Sequence, residues 1–228
     1  PENAIPYINQ KGLVDRNNNP KDAFYVFKSY WNDTTPFAYI ESHTWTERQG
    51  PKGLKRAVSV YSNCPEVELF LNGKSMGTKK RNTKSFPAAG LNWNIPFTDG
   101  ENVLEAVGKT TSGIEVTDKL KVNDRFTKNG TAKSLALVYT QLENGNYLVT
   151  ATARDKNGLR VLDFEERVYF QCLSGGNTHK AMGTPTGSEV IEMANGRASI
   201  EVVRAHKNIP LKMMVLSQNF KGTYLTIK

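Results

Sequence analysis

The side chains that could do chemistry are few and scattered. His43, His179 and His206 are the only histidines, and His179 and His206 belong to no motif. The two cysteines, Cys64 and Cys172, fall in different prospective domains, so their spacing points to neither a bridge nor a zinc site. Most carboxylates alternate with apolar residues or sit in turns, which places them on solvent faces. No nucleophile–base pattern and no phosphate-cradling glycine loop occurs. The chain is therefore expected to carry no catalytic residue and to hold no cofactor and no metal. One aromatic could meet a ligand: Trp45, close to His43 in the segment ESHTWTERQG. An exposed indole offers a flat face to a sugar ring. The alternative is an ordinary strand-edge aromatic that packs one domain on another. Trp93 stands in a strongly alternating segment and reads as core.

The clearest positioning element is a hairpin between Val58 and Lys80. Val67, Leu69 and Leu71 alternate with polar partners, the period of a strand buried on one side. Asn72-Gly73 follows, a pair suited to the two positive-φ positions of a type I′ turn. Counting across that turn pairs Leu69 with Met76 and Val67 with Thr78. Further strands are expected at Phe37–Ile40, at Leu91, Trp93, Ile95 and Phe97, at Val103–Val107, and from Ile114 to Val122. Strands at such spacing, separated by turn signals, are the pattern of a β-sandwich, here residues 36–124. Asn129-Gly130 marks a linker. A second sandwich is expected over 125–228, from alternation at Tyr147–Ala153, Val168–Phe170, Ala198–Val202, Leu211–Val215 and Tyr224–Ile227.

Residues 1–35 differ. After Pro20, Phe24, Phe27 and Trp31 recur at i, i+3 and i+7, flanked by Ala23, Val26 and Tyr30, which is helical spacing. Pro20 suits a first-turn position, Asn17–Asn19 offer capping before it, and Pro36 stops the helix. The apolar stripe of this helix needs a partner that the rest of the chain does not obviously supply.

The net charge of +8 is spread out. Its densest cluster, Lys79, Lys80, Arg81 and Lys84, has no interleaved aromatics and reads as a solvated face rather than a nucleic-acid site. No run reaches the roughly 18 apolar residues of a membrane span. The chain starts at Pro1 with no leader-like segment, which is read as a piece of a longer protein whose targeting information lies elsewhere.

Three stretches carry a resemblance to a known family. VYSNCPEVELFLNGKSMG resembles the signature of a β-sandwich domain that follows the catalytic barrel in bacterial glycoside hydrolase family 2 enzymes, the β-galactosidases, β-glucuronidases and relatives. NQKGLVDRNNNPKDAFYVFKSYW is similar to the last βα unit of that family's (β/α)8 barrel, through Gly12, Leu13, Val14, Arg16, Pro20, Lys21, Ala23, Tyr25 and Trp31. VTATARDKNGLRV is similar to the opening of the invasin- or immunoglobulin-like domains that end such enzymes. The resemblance implies a mainly β chain: two immunoglobulin-like β-sandwich domains, 36–124 and 125–228, preceded at 1–35 by a short helical remnant of the barrel, with Trp31 at a barrel–sandwich junction.

Family 2 enzymes are retaining glycosidases with two carboxyl groups about 5–5.5 Å apart. Both belong to earlier barrel strands, so this chain alone is expected not to catalyse. Asn9-Gln10-Lys11 fits the family's Asn-x-Lys motif. That match implies that, in the parent enzyme, the Lys11 ammonium and Asn9 amide bind the C6 carboxylate of a glucuronide through charge-assisted hydrogen bonds. A neutral galactoside would leave Lys11 without its counter-ion. The function implied is a non-catalytic C-terminal region that supports the barrel and shapes its active-site approach. The alternative is a carbohydrate-binding or cell-surface adhesion module of immunoglobulin-like domains. The partners expected are the chain's own catalytic barrel, a glycan substrate in the parent and a further subunit of a homo-oligomer, with neither nucleic acid nor membrane. The compartment implied is the periplasm, the medium or the cell surface of a bacterium.

Overall fold

The computed structural model describes residues 12–14, 18–179, 189–206 and 208–228. The candidate residues Asn9 and Lys11 lie outside them. Sixteen strands and one helix make up the described residues, which form two compact units, one over Gly12–Lys128 and one containing Asn129–Lys228. None of the helical segments described is long and apolar enough to cross a membrane.

The first unit opens with α1 (Asp22–Trp31). It then runs through β1 (Ala38–Ile40), β2 (Glu47–Gln49), β3 (Arg56–Ser62), β4 (Glu66–Leu71), β5 (Lys74–Lys80), β6 (Asn92–Ile95), β7 (Gly100–Lys109) and β8 (Glu115–Arg125). A three-stranded sheet, β1-β3-β6, faces a five-stranded one, β2-β8-β7-β4-β5. The predicted alternation is what builds the core between them. Ile40, Val58, Val60, Trp93 and Ile95 point inward from the first sheet, and Val67, Leu69, Leu104, Ala106 and Val122 from the second. Each fully buried aliphatic side chain contributes about 1.5–3 kcal/mol. The outer face of the larger sheet is a ladder of opposite charges, Lys119 with Glu105, Lys121 with Glu101 and Lys109 with Glu115.

The hairpin forms at Asn72-Gly73, both with positive φ, and Leu71 pairs with Lys74 and Phe70 with Ser75. Beyond that the register departs from the simple count: Glu68 lies opposite Thr78 and Val67 opposite Lys79, not Thr78. One extra residue is inserted on β5 beside Gly77, whose φ of 97° puts it in the glycine-favoured region. The Trp93 indole N–H donates to the Gly77 carbonyl at 3.1 Å, which pins the bulge to the core. A two-residue turn fixes register only for the pairs next to it. A third strand pairing was also not legible: β2 runs parallel to β8.

α1 starts later than the capping signals predict. Its N-cap is Lys21, which makes no side-chain cap, and Pro20 sits before the helix rather than in its first turn. The Lys21 N–H instead donates to the Leu13 carbonyl, and Val14 bridges Pro20, so Leu13 and Val14 lie beside Pro20 and Lys21. At the other end the Asn32 side chain accepts from the backbone N–H groups of Thr34 and Thr35 and ends the helix ahead of Pro36. The helix is part of the first unit, so the expected division at 35/36 falls inside it.

The second unit holds β9 (Ser134–Gln141), β10 (Tyr147–Arg154), β11 (Arg167–Ser174), β12 (Gly176–Thr178), β13 (Val190–Glu192), β14 (Arg197–Arg204), β15 (Leu211–Leu216) and β16 (Thr223–Ile227). Two four-stranded sheets, β12-β14-β10-β9 and β13-β11-β15-β16, enclose a core of Val149, Ala151, Ile200 and Val202 against Val168, Phe170, Met213 and Val215. Cys64 and Cys172 are both free thiols, one in each unit.

Candidate functional site

The polar and aromatic groups of the first unit gather where α1 meets β1. Positions 22, 25, 26 and 29 share one face of a helix, and that face packs inward: Val26 and Ser29 are buried, and Tyr25 stacks on Tyr39 with ring centroids 3.6 Å apart. The other face of Tyr39 stacks on His43 at 4.7 Å, giving a pile of three rings. Its middle ring and one end are tied by carboxylates. The Tyr39 hydroxyl donates to Asp22 at 2.6 Å, and the His43 Nε2 lies 2.8 Å from Asp118, which also accepts the Ile40 N–H. Across the strand pair from Tyr39, Tyr61 is buried.

These phenols are kept neutral. Burial, and then the hydrogen bond to Asp22, pushes the Tyr39 hydroxyl well above the usual tyrosine range. Burial and the Glu41 carboxylate do the same to Tyr61. Tyr25 is raised by burial first and then by the Asp118 and Asp22 charges. A neutral phenol held on an acceptor, as Tyr39 is on Asp22, is a brace and not a base. Arg81 completes the brace: its guanidinium donates to the Ser29 carbonyl at 2.5 Å and to the Ser62 carbonyl at 3.1 Å and lies over the Tyr30 ring. Arg81 is thus a helix anchor, unlike the exposed Lys79, Lys80 and Lys84 with which it was grouped in sequence. No local pattern marks these partners, because Asp118 is 78 residues from Ile40 and Arg81 is 52 from Ser29.

The opposite face of α1 is only partly covered by the described residues. Phe24, Phe27 and Trp31, the stripe read from sequence, line a shallow depression with Leu13, Lys28 and Thr34. Phe27 and Trp31 touch each other at 4.8 Å, and Trp31 is 72% exposed. The Lys21 ammonium, at the start of the same helix, is buried and has no hydrogen-bond partner among the described residues. The helix therefore has one face packed into its unit and a second, aromatic face that the described residues cover only in part.

Trp45 lies apart from this junction. It is 51% exposed, and the Arg48 guanidinium sits 4.6 Å over its ring while Arg48 Nε donates to the Trp45 carbonyl. Arg48 is itself buried. Burial lowers its affinity for a proton, opposed by the charges of Asp124 and Glu41. Beside it Arg56 holds the fully buried Asp124 with two hydrogen bonds, at 2.9 and 3.3 Å. Trp93, by contrast, is 4% exposed and fills the core. Among the described residues no three His, Cys, Asp or Glu side chains come together in a way that could hold a metal ion.

The described residues thus form two β-sandwiches, the first headed by one helix. Residues 53–117 match the family model described as a domain of unknown function, DUF4982. All 228 residues align at 72% identity with the "Putative beta-glucuronidase" of Formosa agariphila, covering 28% of that protein. A β-glucuronidase of Bacteroides fragilis is 37% identical over 125 residues, which are 53% of this chain and 17% of that protein. The crystal structure of Parabacteroides merdae β-glucuronidase superposes with a TM-score of 0.84 at 37% identity, over 99% of this chain and 28% of that one. The chain is a part of a longer glycoside hydrolase family 2 protein. It spans between a sixth and three tenths of the length of these relatives.

Proposed function

We propose that this chain is the non-catalytic C-terminal region of a retaining family 2 β-glycosidase, a β-glucuronidase or β-galactosidase exported to the periplasm, surface or medium of a bacterium. Its work is to support the catalytic barrel and to shape the approach to the active site. The observation that carries this reading is the outward face of α1, where half-buried Phe24 and Phe27 stand beside Trp31, which is exposed among the described residues. An amphipathic helix rigidly braced on one side and apolar on the other is a coupling between two bodies. In the parent enzyme Asn9 and Lys11, carried just ahead of this helix, would hold the carboxylate of a glucuronide.

The coupling is tested by Trp31→Ser, alone and combined with Phe27→Ser. In the 228-residue chain Trp31 is exposed and Phe27 half-buried, and Trp31→Ser alone should move the melting temperature by no more than about 1 °C. In the full-length protein, loss of two covered aromatics, each worth about 3–5 kcal/mol when buried, should lower it by on the order of 5 °C. A full-length protein indifferent to both substitutions would remove the support for this role.

A further inference from the structure

A second aromatic surface lies in the other unit. In an antiparallel sandwich the outer faces are solvated, and their residues are polar. The sheet β12-β14-β10-β9 keeps a polar centre on its outer face, Thr150 hydrogen-bonded to Ser199 with Thr152, Arg197 and Glu201, although Ser199 and Thr152 are buried and Leu148 and Val138 stand beside them. The sheet β13-β11-β15-β16 does not. Phe170, Met213 and Val215 fill the core, so their neighbours in sequence point outward: Tyr169, Met214 and Leu216 are aromatic or apolar, and Gln171 and Lys212 are polar. Tyr169 pairs with Leu216, and Met214 with Tyr224, so the apolar side chains are contiguous across three strands. Tyr224 is 67% exposed and Leu173 46%. The Tyr224 hydroxyl lies over Gly222 beside the Met214 sulfur, where a Cβ at position 222 would touch both, so the ring is laid along the sheet. Around this centre stand Arg167, Gln171, Glu192, Lys212 and Thr226. Tyrosine, methionine and leucine inside a polar rim is the anatomy of an interface.

The size of the face selects its occupant. Three strands about 4.8 Å apart and two same-face steps of about 7 Å give a patch roughly 15 Å on a side, a few hundred Å². Separate molecules need about 800 Å² per partner for a stable complex. A tethered domain needs far less, because the link supplies a high effective concentration. More than two thirds of the Formosa and Parabacteroides relatives lies outside the region this chain covers. We infer that the outer face of the β13-β11-β15-β16 sheet is covered, in the full-length protein, by an apolar surface of another domain of the same polypeptide. The rim offers two cations, Arg167 and Lys212, against one carboxylate, Glu192, so the covering surface carries acidic residues at its edge.

The test is thiol footprinting of Tyr224→Cys in the 228-residue chain and in the full-length protein, with Arg197→Cys on the polar outer face as the reference. Circular dichroism confirms folding, and Leu173→Cys replaces Tyr224→Cys if that variant misfolds. A maleimide should label position 224 at least tenfold more slowly in the full-length protein, at every protein concentration, while position 197 reacts alike in both. Equal rates at 224 overturn the inference. So does protection that appears in the chain alone and grows with its concentration, which would make a second copy the occupant. Protection of the chain alone by added oligosaccharide would make the face a glycan platform and would equally overturn it.

Discussion

Breaking the buried Arg56–Asp124 pair gives the sharpest stability prediction for the first unit. The Asp124 side chain is fully inaccessible and that of Arg56 is 10% exposed. The pair joins β3 to β8, so it bridges the two sheets of the sandwich. Gly50 makes room for it: a Cβ there would lie 2.6 Å from the Arg56 guanidinium. Arg56→Met strands a carboxylate in the interior, and removing one partner of a buried pair costs about 3–5 kcal/mol. Arg48 still acts on Asp124, which places the cost near the lower end, about 3 kcal/mol. With a urea m-value of about 1.5 kcal/mol/M, the midpoint should fall by about 2 M. Trp31, Trp45 and Trp93 all belong to the first unit, so tryptophan fluorescence follows its unfolding alone. The double variant Arg56→Met/Asp124→Leu should recover most of the loss, since a well-packed apolar pair can replace a buried ion pair. A midpoint shift below about 0.5 M, or a double variant as weak as the single, would refute the reasoning.

Two further predictions address the other unit and the aromatic brace. Gly196 has φ +66°, and a Cβ there would meet the Val161 carbonyl oxygen at 2.1 Å. Gly196→Ala should therefore destabilise the second unit by about 3 kcal/mol or more, with far-UV dichroism lost early in urea while the tryptophan transition stays put. Tyr25, Tyr39 and Tyr61 have hydroxyls raised above the ordinary value of 10.0. Their contribution is complete below pH 10 and is lost as the pH rises beyond it, because the unfolded chain releases those protons first. The first unit should thus unfold above pH 10, with a cooperative rise in tyrosinate absorbance at the same pH as the tryptophan change. Ionisation of all tyrosines without any fluorescence change would contradict the brace.

What the sequence carried and what it withheld follow from the range of the forces involved. Strict alternation at Val67–Leu71 and at Leu91–Phe97 reports one-sided burial, a local property, and those residues are core. The helix was legible from its period, but the period does not say which side is covered. The Phe24–Phe27–Trp31 stripe is the partly covered side, and the buried side is built by Val26, Ser29 and the stacked Tyr25. β9 escaped notice because it is an edge strand whose far half, with Val138 and Tyr139, leaves the core. The bulge at Gly77 is set by the indole of a strand far along the chain, and so are the carboxylate partners of Tyr39 and His43. Trp45 was singled out for its type, and its setting on the Arg48 guanidinium is a contact that spacing alone did not reveal.

The most direct measurement is steady-state kinetics of the full-length protein on matched aryl β-glucuronide and aryl β-galactoside, with Lys11→Ala alongside and the 228-residue chain as a blank. The account predicts no turnover by the chain and a glucuronide preference in the full-length protein. It further predicts that Lys11→Ala lowers kcat/KM for the glucuronide by about 100-fold or more, the loss of a charge-assisted contact worth about 3 kcal/mol, and barely changes the galactoside. Turnover by the chain alone, or a full-length enzyme whose glucuronide activity survives Lys11→Ala intact, would contradict it.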